Sequence, residues 1–129
     1  MIHLTKRIVF TEKAPKPVGP YSQAVISGDF VFISGQIPLD PTSSKIVEGG
    51  IETQTVQVME NLQNILESIE LTLDDVVKTS VFLSDLNDFQ AFNMVYSKYF
   101  DKSPPARSTV QAGLFSGVLL EIDAIAKKR

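Results

Sequence analysis

Leu119-Leu120-Glu121-Ile122-Asp123-Ala124-Ile125-Ala126 alternates with the period of a β-strand. Leu120, Ile122, Ala124 and Ala126 fall on one face, and Leu119, Glu121, Asp123 and Ile125 on the other. The first face is wholly apolar and needs a covering layer. The second mixes apolar side chains with two carboxylates. Which other elements can supply cover decides the architecture.

Two helices can. Val58, Met59, Leu62, Ile65, Leu66 and Ile69 recur at three- and four-residue steps, which predicts a helix over 52–69 with one apolar stripe. Phe89, Phe92, Val95, Tyr96, Tyr99 and Phe100 form a second stripe on a helix starting near Asp88, an acidic residue suited to the positive helix end. Aromatics at this spacing read as core rather than as a platform for stacking bases. Strands are predicted at 8–10, 24–27, 30–35, 76–83, 108–110 and 118–126, with Gly28-Asp29 as a tight hairpin turn. The three prolines of 14–20 make that stretch a loop.

The order is therefore β-β-β-α-β-α-β-β in one domain spanning 1–129. Two helices on one face of a mixed sheet give an α+β fold, a two-layer α/β sandwich. One sheet face then keeps Leu119 and Ile125 beside Glu121, and Phe30-Val31-Phe32-Ile33 is apolar on both faces, as if covered on both sides. So much apolar sheet is rarely left in water, which predicts an oligomer.

A net charge of −3 argues against nucleic acid as the main partner, because that binding rests on Lys and Arg neutralising phosphates. With no cysteine and one histidine, His3, the chain offers no thiol nucleophile, no Ser-His-Asp triad that leaves the N-terminal region, and no Cys- or His-pair metal site. No metal or organic cofactor is expected. The N-terminus lacks the apolar run of a signal peptide and no stretch is long enough to span a membrane, so a cytoplasmic location is expected.

Chemistry concentrates in few residues. Pro104-Pro105-Ala106-Arg107-Ser108-Thr109-Val110 delivers one arginine from a stiffened loop, and its planar fork matches a carboxylate. Glu121, on the face the helices leave, can exchange a proton with a water. The two together suit hydrolysis of something small and acidic, or else form a salt bridge across the sheet. Pro20 restricts the approach of Tyr21, whose ring can wall a small pocket. Ser34 and Gly35 end a buried strand, where glycine lets a ligand near the backbone.

Pro105-Ala106-Arg107-Ser108 and Glu121-Ile122 resemble the signature of the RidA (YjgF/YER057c) family of reactive-intermediate deaminases. Gly19-Pro20-Tyr21-Ser22-Gln23-Ala24-Val25, Ile33-Ser34-Gly35-Gln36-Ile37, Gly49-Gly50, Asp85-Leu86-Asn87-Asp88-Phe89 and Asn93-x-x-Tyr96 follow the family order along essentially the whole chain. The resemblance implies the chorismate-mutase-like YjgF fold, a homotrimer with sites between subunits, and sheets facing inward. It assigns Arg107 to the substrate carboxylate and Glu121 to the attacking water. Asn93 matches a pocket-edge position, though as a residue it reads equally as a solvated helix position. Thr109 stands where many members carry cysteine, so the chemistry here must be free of thiol. Gly113-Leu114-Phe115-Ser116-Gly117 is one residue shorter than the common pattern, where many members have a Leu-Pro turn.

The activity implied is hydrolysis of 2-enamine and 2-imino acids, such as 2-aminoacrylate, 2-iminopropanoate and 2-iminobutanoate, to 2-keto acids and ammonia. A non-enzymatic carboxylate-binding regulator is the alternative, and an endoribonuclease a more distant one.

Overall fold

Apolar stripes on two helices meet one face of a six-stranded sheet in a computed structural model that describes residues 5–129. His3 lies outside the described residues. The elements are β1 (Lys6–Val9), β2 (Ala24–Ser27), β3 (Phe30–Gln36), α1 (Ile51–Glu67), β4 (Val76–Leu83), α2 (Phe89–Tyr99), β5 (Ala106–Gln111) and β6 (Leu120–Lys127). This is the predicted order and the predicted α+β class. Among the described residues no helix is long and apolar enough to cross a membrane.

The sheet runs β1-β2-β3-β6-β4-β5, so the strand last in sequence is inserted between β3 and β4. It pairs antiparallel with both, which makes β3 and β4 parallel to each other. β5 joins β4 in parallel and forms one edge. Each helix thus bridges two parallel strands, α1 from β3 to β4 and α2 from β4 to β5, and both lie on one side.

Beneath the helices the alternation of each strand delivers the core. Val31, Ile33, Val81, Leu83, Leu120, Ile122, Ala124 and Ala126 are buried there against Val58, Met59, Leu62, Ile65, Leu66 and Phe92. The opposite face is bare in a single chain. Phe30 and Phe32 are 41% and 47% exposed, and Ile8, Phe10 and Val110 are more than half or nearly half exposed beside them. The expectation that β3 is covered on both faces is thus corrected: its own chain covers only the face of Val31 and Ile33. Leu119 also departs from expectation. It lies just outside β6 and packs against the core rather than on the open face.

Three boundaries shift for local reasons. β1 ends at Val9, before Phe10. β5 begins at Ala106, two residues earlier than predicted, which carries Arg107 into the sheet. β6 begins at Leu120, because the Val118 amide donates to the Phe115 carbonyl at 3.0 Å and closes a turn instead.

Ile122 is wholly buried at the centre of this arrangement. Ile122→Ala should cost about 2–5 kcal/mol of stability through lost transfer energy and the cavity left behind. Chemical denaturation would register it as a lower midpoint with an unchanged slope.

Candidate active site

Arg107 pairs across the β4–β5 ladder with Thr79, whose side chain is buried beneath the helices. Its own side chain therefore points to the helix side of the edge strand, where α2 receives it. Arg107 Nη1 donates to Asn93 Oδ1 at 2.8 Å. The guanidinium carbon lies 4.9 Å from the ring centroid of Tyr96 and 5.6 Å from those of Phe89 and Phe92. Tyr96 is itself fixed by a 2.7 Å hydrogen bond between its hydroxyl and Thr79 Oγ1, and burial pushes its phenol above the ordinary value. A cation on three aromatic faces with one side-chain acceptor is held in plane without a neutralising carboxylate.

The salt bridge to Glu121 does not form. The ion pair among the described residues is Arg129 with Asp75 at 3.1 Å, far along the chain. Asn93 engages one of the five N–H donors of Arg107, so the fork keeps donors for an anion. Two residues on, the same strand face presents Thr109, whose Oγ1 is buried and has no hydrogen-bond partner among the described residues. Arg107, Asn93 and Thr109 form one candidate half-site.

Tyr21, Ser34, Gly35 and Glu121 form another, in a cavity of about 330 Å³. Glu121 pairs with Phe82 on the open face of the sheet. Its side chain lies flat on the backbone of Gly35: a Cβ there would come within 2.9 Å of the carboxyl carbon and closer still to an oxygen. The absence of a side chain at Gly35 makes room for the glutamate. A register shift between Ile33 and Gln36 lets β3 bend around this contact. Burial, and behind it the Asp123 carboxylate on the same face, pushes the Glu121 carboxyl above its ordinary value. The Ser34 hydroxyl donates to the Ser22 carbonyl at 2.6 Å, which leaves its oxygen as an acceptor. The Tyr21 hydroxyl accepts from the Val18 amide at 3.3 Å.

The two half-sites stay apart. β4 lies between β5 and β6, so their strands are roughly 10 Å apart, and the side chains face opposite sides of the sheet. A small acid gripped by Arg107 lies across the sheet from the Glu121 of the same chain. Among the described residues no group of three or more His, Cys, Asp or Glu is placed to hold a metal.

Sequence reasoning missed three supports. The aromatic stripe of α2 is core at Phe92 and Tyr96, yet it is also the seat of Arg107. Gln23, fully buried, pins the proline-rich loop by accepting from Thr11 N and donating to the carbonyls of Thr11, Ala14 and Pro15. Gln54, also buried, donates to the Gly117 carbonyl at 2.9 Å and accepts from Leu119 N at 2.8 Å. Both are amides at positions where the pattern calls for apolar residues, and that mismatch was the available signal.

A two-layer α+β sandwich with both helices on one face of a mixed six-stranded sheet is the fold of the L-PSP type of protein. The family description Endoribonuclease L-PSP matches residues 11–128. The chain belongs to this family, the RidA family that its motifs resemble. It is 55% identical over 124 residues to the RutC family protein SSO3206 of Saccharolobus solfataricus, covering 95% of this chain and 98% of that one. It is 42% identical over 127 residues to the human 2-iminobutanoate/2-iminopropanoate deaminase, covering 98% and 93%. Escherichia coli TdcF, solved with bound serine, superposes with a TM-score of 0.90 at 40% identity, over 95% of this chain and 99% of that one.

Gly35→Ala should displace the Glu121 carboxylate toward solvent while leaving the fold intact. Titration of Glu121 by NMR should then move down toward the ordinary glutamate range; an unmoved titration would mean that the glycine contact does not hold the side chain.

Proposed function

We propose that the protein hydrolyses 2-imino acids to 2-keto acids and ammonia at sites completed between subunits of a homotrimer. The observation that carries this reading is the division of the site: an arginine with no carboxylate partner on one face, a half-buried carboxylate on the other, and an apolar sheet face that the single chain leaves uncovered. A heterologous ring brings the Arg107 edge of one copy to the Glu121 cavity of the next and covers that face as well. The human relative is named an imine deaminase, and Escherichia coli TdcF was solved with bound serine, which accords with a small carboxylate as ligand.

In this reading Arg107 binds the substrate carboxylate through its fork, and the Thr109 hydroxyl supplies a further polar contact. Glu121 takes a proton from water as the water oxygen attacks the protonated imine carbon, and the C=N π electrons move to nitrogen. The Glu121 acid then returns the proton to the amine, the C–N bond breaks, and the hydroxyl loses its proton as the keto acid forms. Ammonia leaves as ammonium. Holding, placing and proton transfer suffice, because the protonated imine is already electrophilic.

A cleft that only binds needs the arginine alone, whereas this one also buries a carboxylate and raises its pKa. Ammonia release from imines generated in situ tests the activity directly. Arg107→Ala should weaken 2-ketobutyrate binding about tenfold to a hundredfold, the value of a charge-assisted hydrogen bond. Arg107→Lys should not restore it fully. Glu121→Gln should bind 2-ketobutyrate nearly normally and lose turnover.

Arg107→Ala and Glu121→Gln spoil different half-sites. Co-refolding Arg107→Ala with Glu121→Gln in equal amounts should therefore recover about a quarter of wild-type turnover, from interfaces that pair two intact halves. No recovery in oligomers shown to be mixed would place both residues in one subunit's site.

The pH dependence follows from the raised Glu121 pKa. The base must be ionised, so turnover should rise with pH through a midpoint above the ordinary glutamate value. A pH–rate profile with its acid limb in the ordinary carboxylate range would assign that limb to another group.

A further inference from the structure

The Glu121 cavity holds more room and more apolar wall than a three-carbon substrate can use. Its volume is about 330 Å³. 2-Iminopropanoate needs the space of only three or four waters, roughly 100 Å³. Opposite Glu121 and Ser34 the surplus is bounded by Val18, Tyr21, Ile37, Leu39 and Phe115. In the single chain Tyr21 is 48% exposed and Phe115 73% exposed, so both rings offer apolar area that a ligand side chain, seated beside the neighbouring copy's Arg107, would cover.

The backbone that carries Phe115 is tied down. Its loop is tied at one end by the Ala112 amide on the Leu83 carbonyl at 2.9 Å and at the other by the buried Gln54 amide. Between them the Val118 amide closes the turn onto the Phe115 carbonyl, and Gly117 takes the positive φ of 81° that a type II turn requires. A short, fixed turn thus holds an aromatic ring at the mouth of the cavity.

We propose that Phe115 is a specificity-determining residue, and that with Tyr21 it receives the substrate side chain, so the protein favours 2-imino acids with branched or aromatic apolar side chains over the three-carbon one. This rests on the hydrolytic reading above. The polar end of such a substrate lies at Glu121, and its side chain replaces water on the two rings.

The test compares kcat/KM for imines generated from leucine and from alanine, alongside calorimetric binding of 4-methyl-2-oxopentanoate and pyruvate. Wild type should favour the leucine-derived member of each pair. Phe115→Ala should lower both leucine-to-alanine ratios by about tenfold, the discrimination an apolar pocket contact supplies, and Phe115→Leu should restore most of it. Imine turnover with ratios indifferent to residue 115, or a wild-type preference for the alanine-derived imine, overturns the proposal while the hydrolytic reading stands. Binding ratios that follow residue 115 without turnover of any imine support the side-chain wall and defeat the hydrolytic reading.

Discussion

A sheet has two faces, and this chain provides helices for one. Nearly everything else follows from that inequality. The covered face takes the aliphatic core; the other is left with Phe30, Phe32 and Val110 in contact with water. Polar groups that need partial burial have two different environments to choose from. Arg107 takes the helix side at an edge, and Glu121 takes the open side at the centre.

The two environments are tuned oppositely. Arg107 rests on ring faces, which stabilise a cation without cancelling its charge, and Asn93 sets its plane. A carboxylate partner would have locked the guanidinium and removed its value to an incoming anion. Glu121 instead lies against the backbone of Gly35 with no salt bridge among the described residues, and burial disfavours its charged form. One group keeps free donors, while the other has its charged form disfavoured by burial.

Much of the fold was legible because its signals are periodic. The stripe of α1 and the alternation of β6 fix their buried faces from spacing alone. The face of Arg107 was not legible in this way. β5 reads Ala106-Arg107-Ser108-Thr109-Val110-Gln111, and its alternation places small or apolar residues outward and polar ones inward. That inversion is decided by parallel pairing with β4 and by the aromatic seat on α2, both remote in sequence. The separation of Arg107 from Glu121 was hidden for the same reason. Motif order shows which residues belong to a site, but not which side of a sheet each one occupies. Gly35 illustrates the limit differently: its need was visible, but the atom that approaches it comes from a strand some eighty-six positions later.

The position of β6 also sets how the chain must acquire its structure. Among the described residues it is the last strand in sequence and the only one pairing with both β3 and β4. Until synthesis passes Lys127, β3 and β4 have no common neighbour, and each shows an unsatisfied edge that can template foreign strands. Helix stripes can collapse early on such a half-built sheet, but the decisive contacts join Phe30 to Lys127 and Ile33 to Ala124, about as far apart in sequence as the chain allows. The sheet is therefore completed by a long-range insertion of its central strand, a slow kind of contact to form. The emerging chain depends most on protection from aggregation in the interval just before its final strand is available.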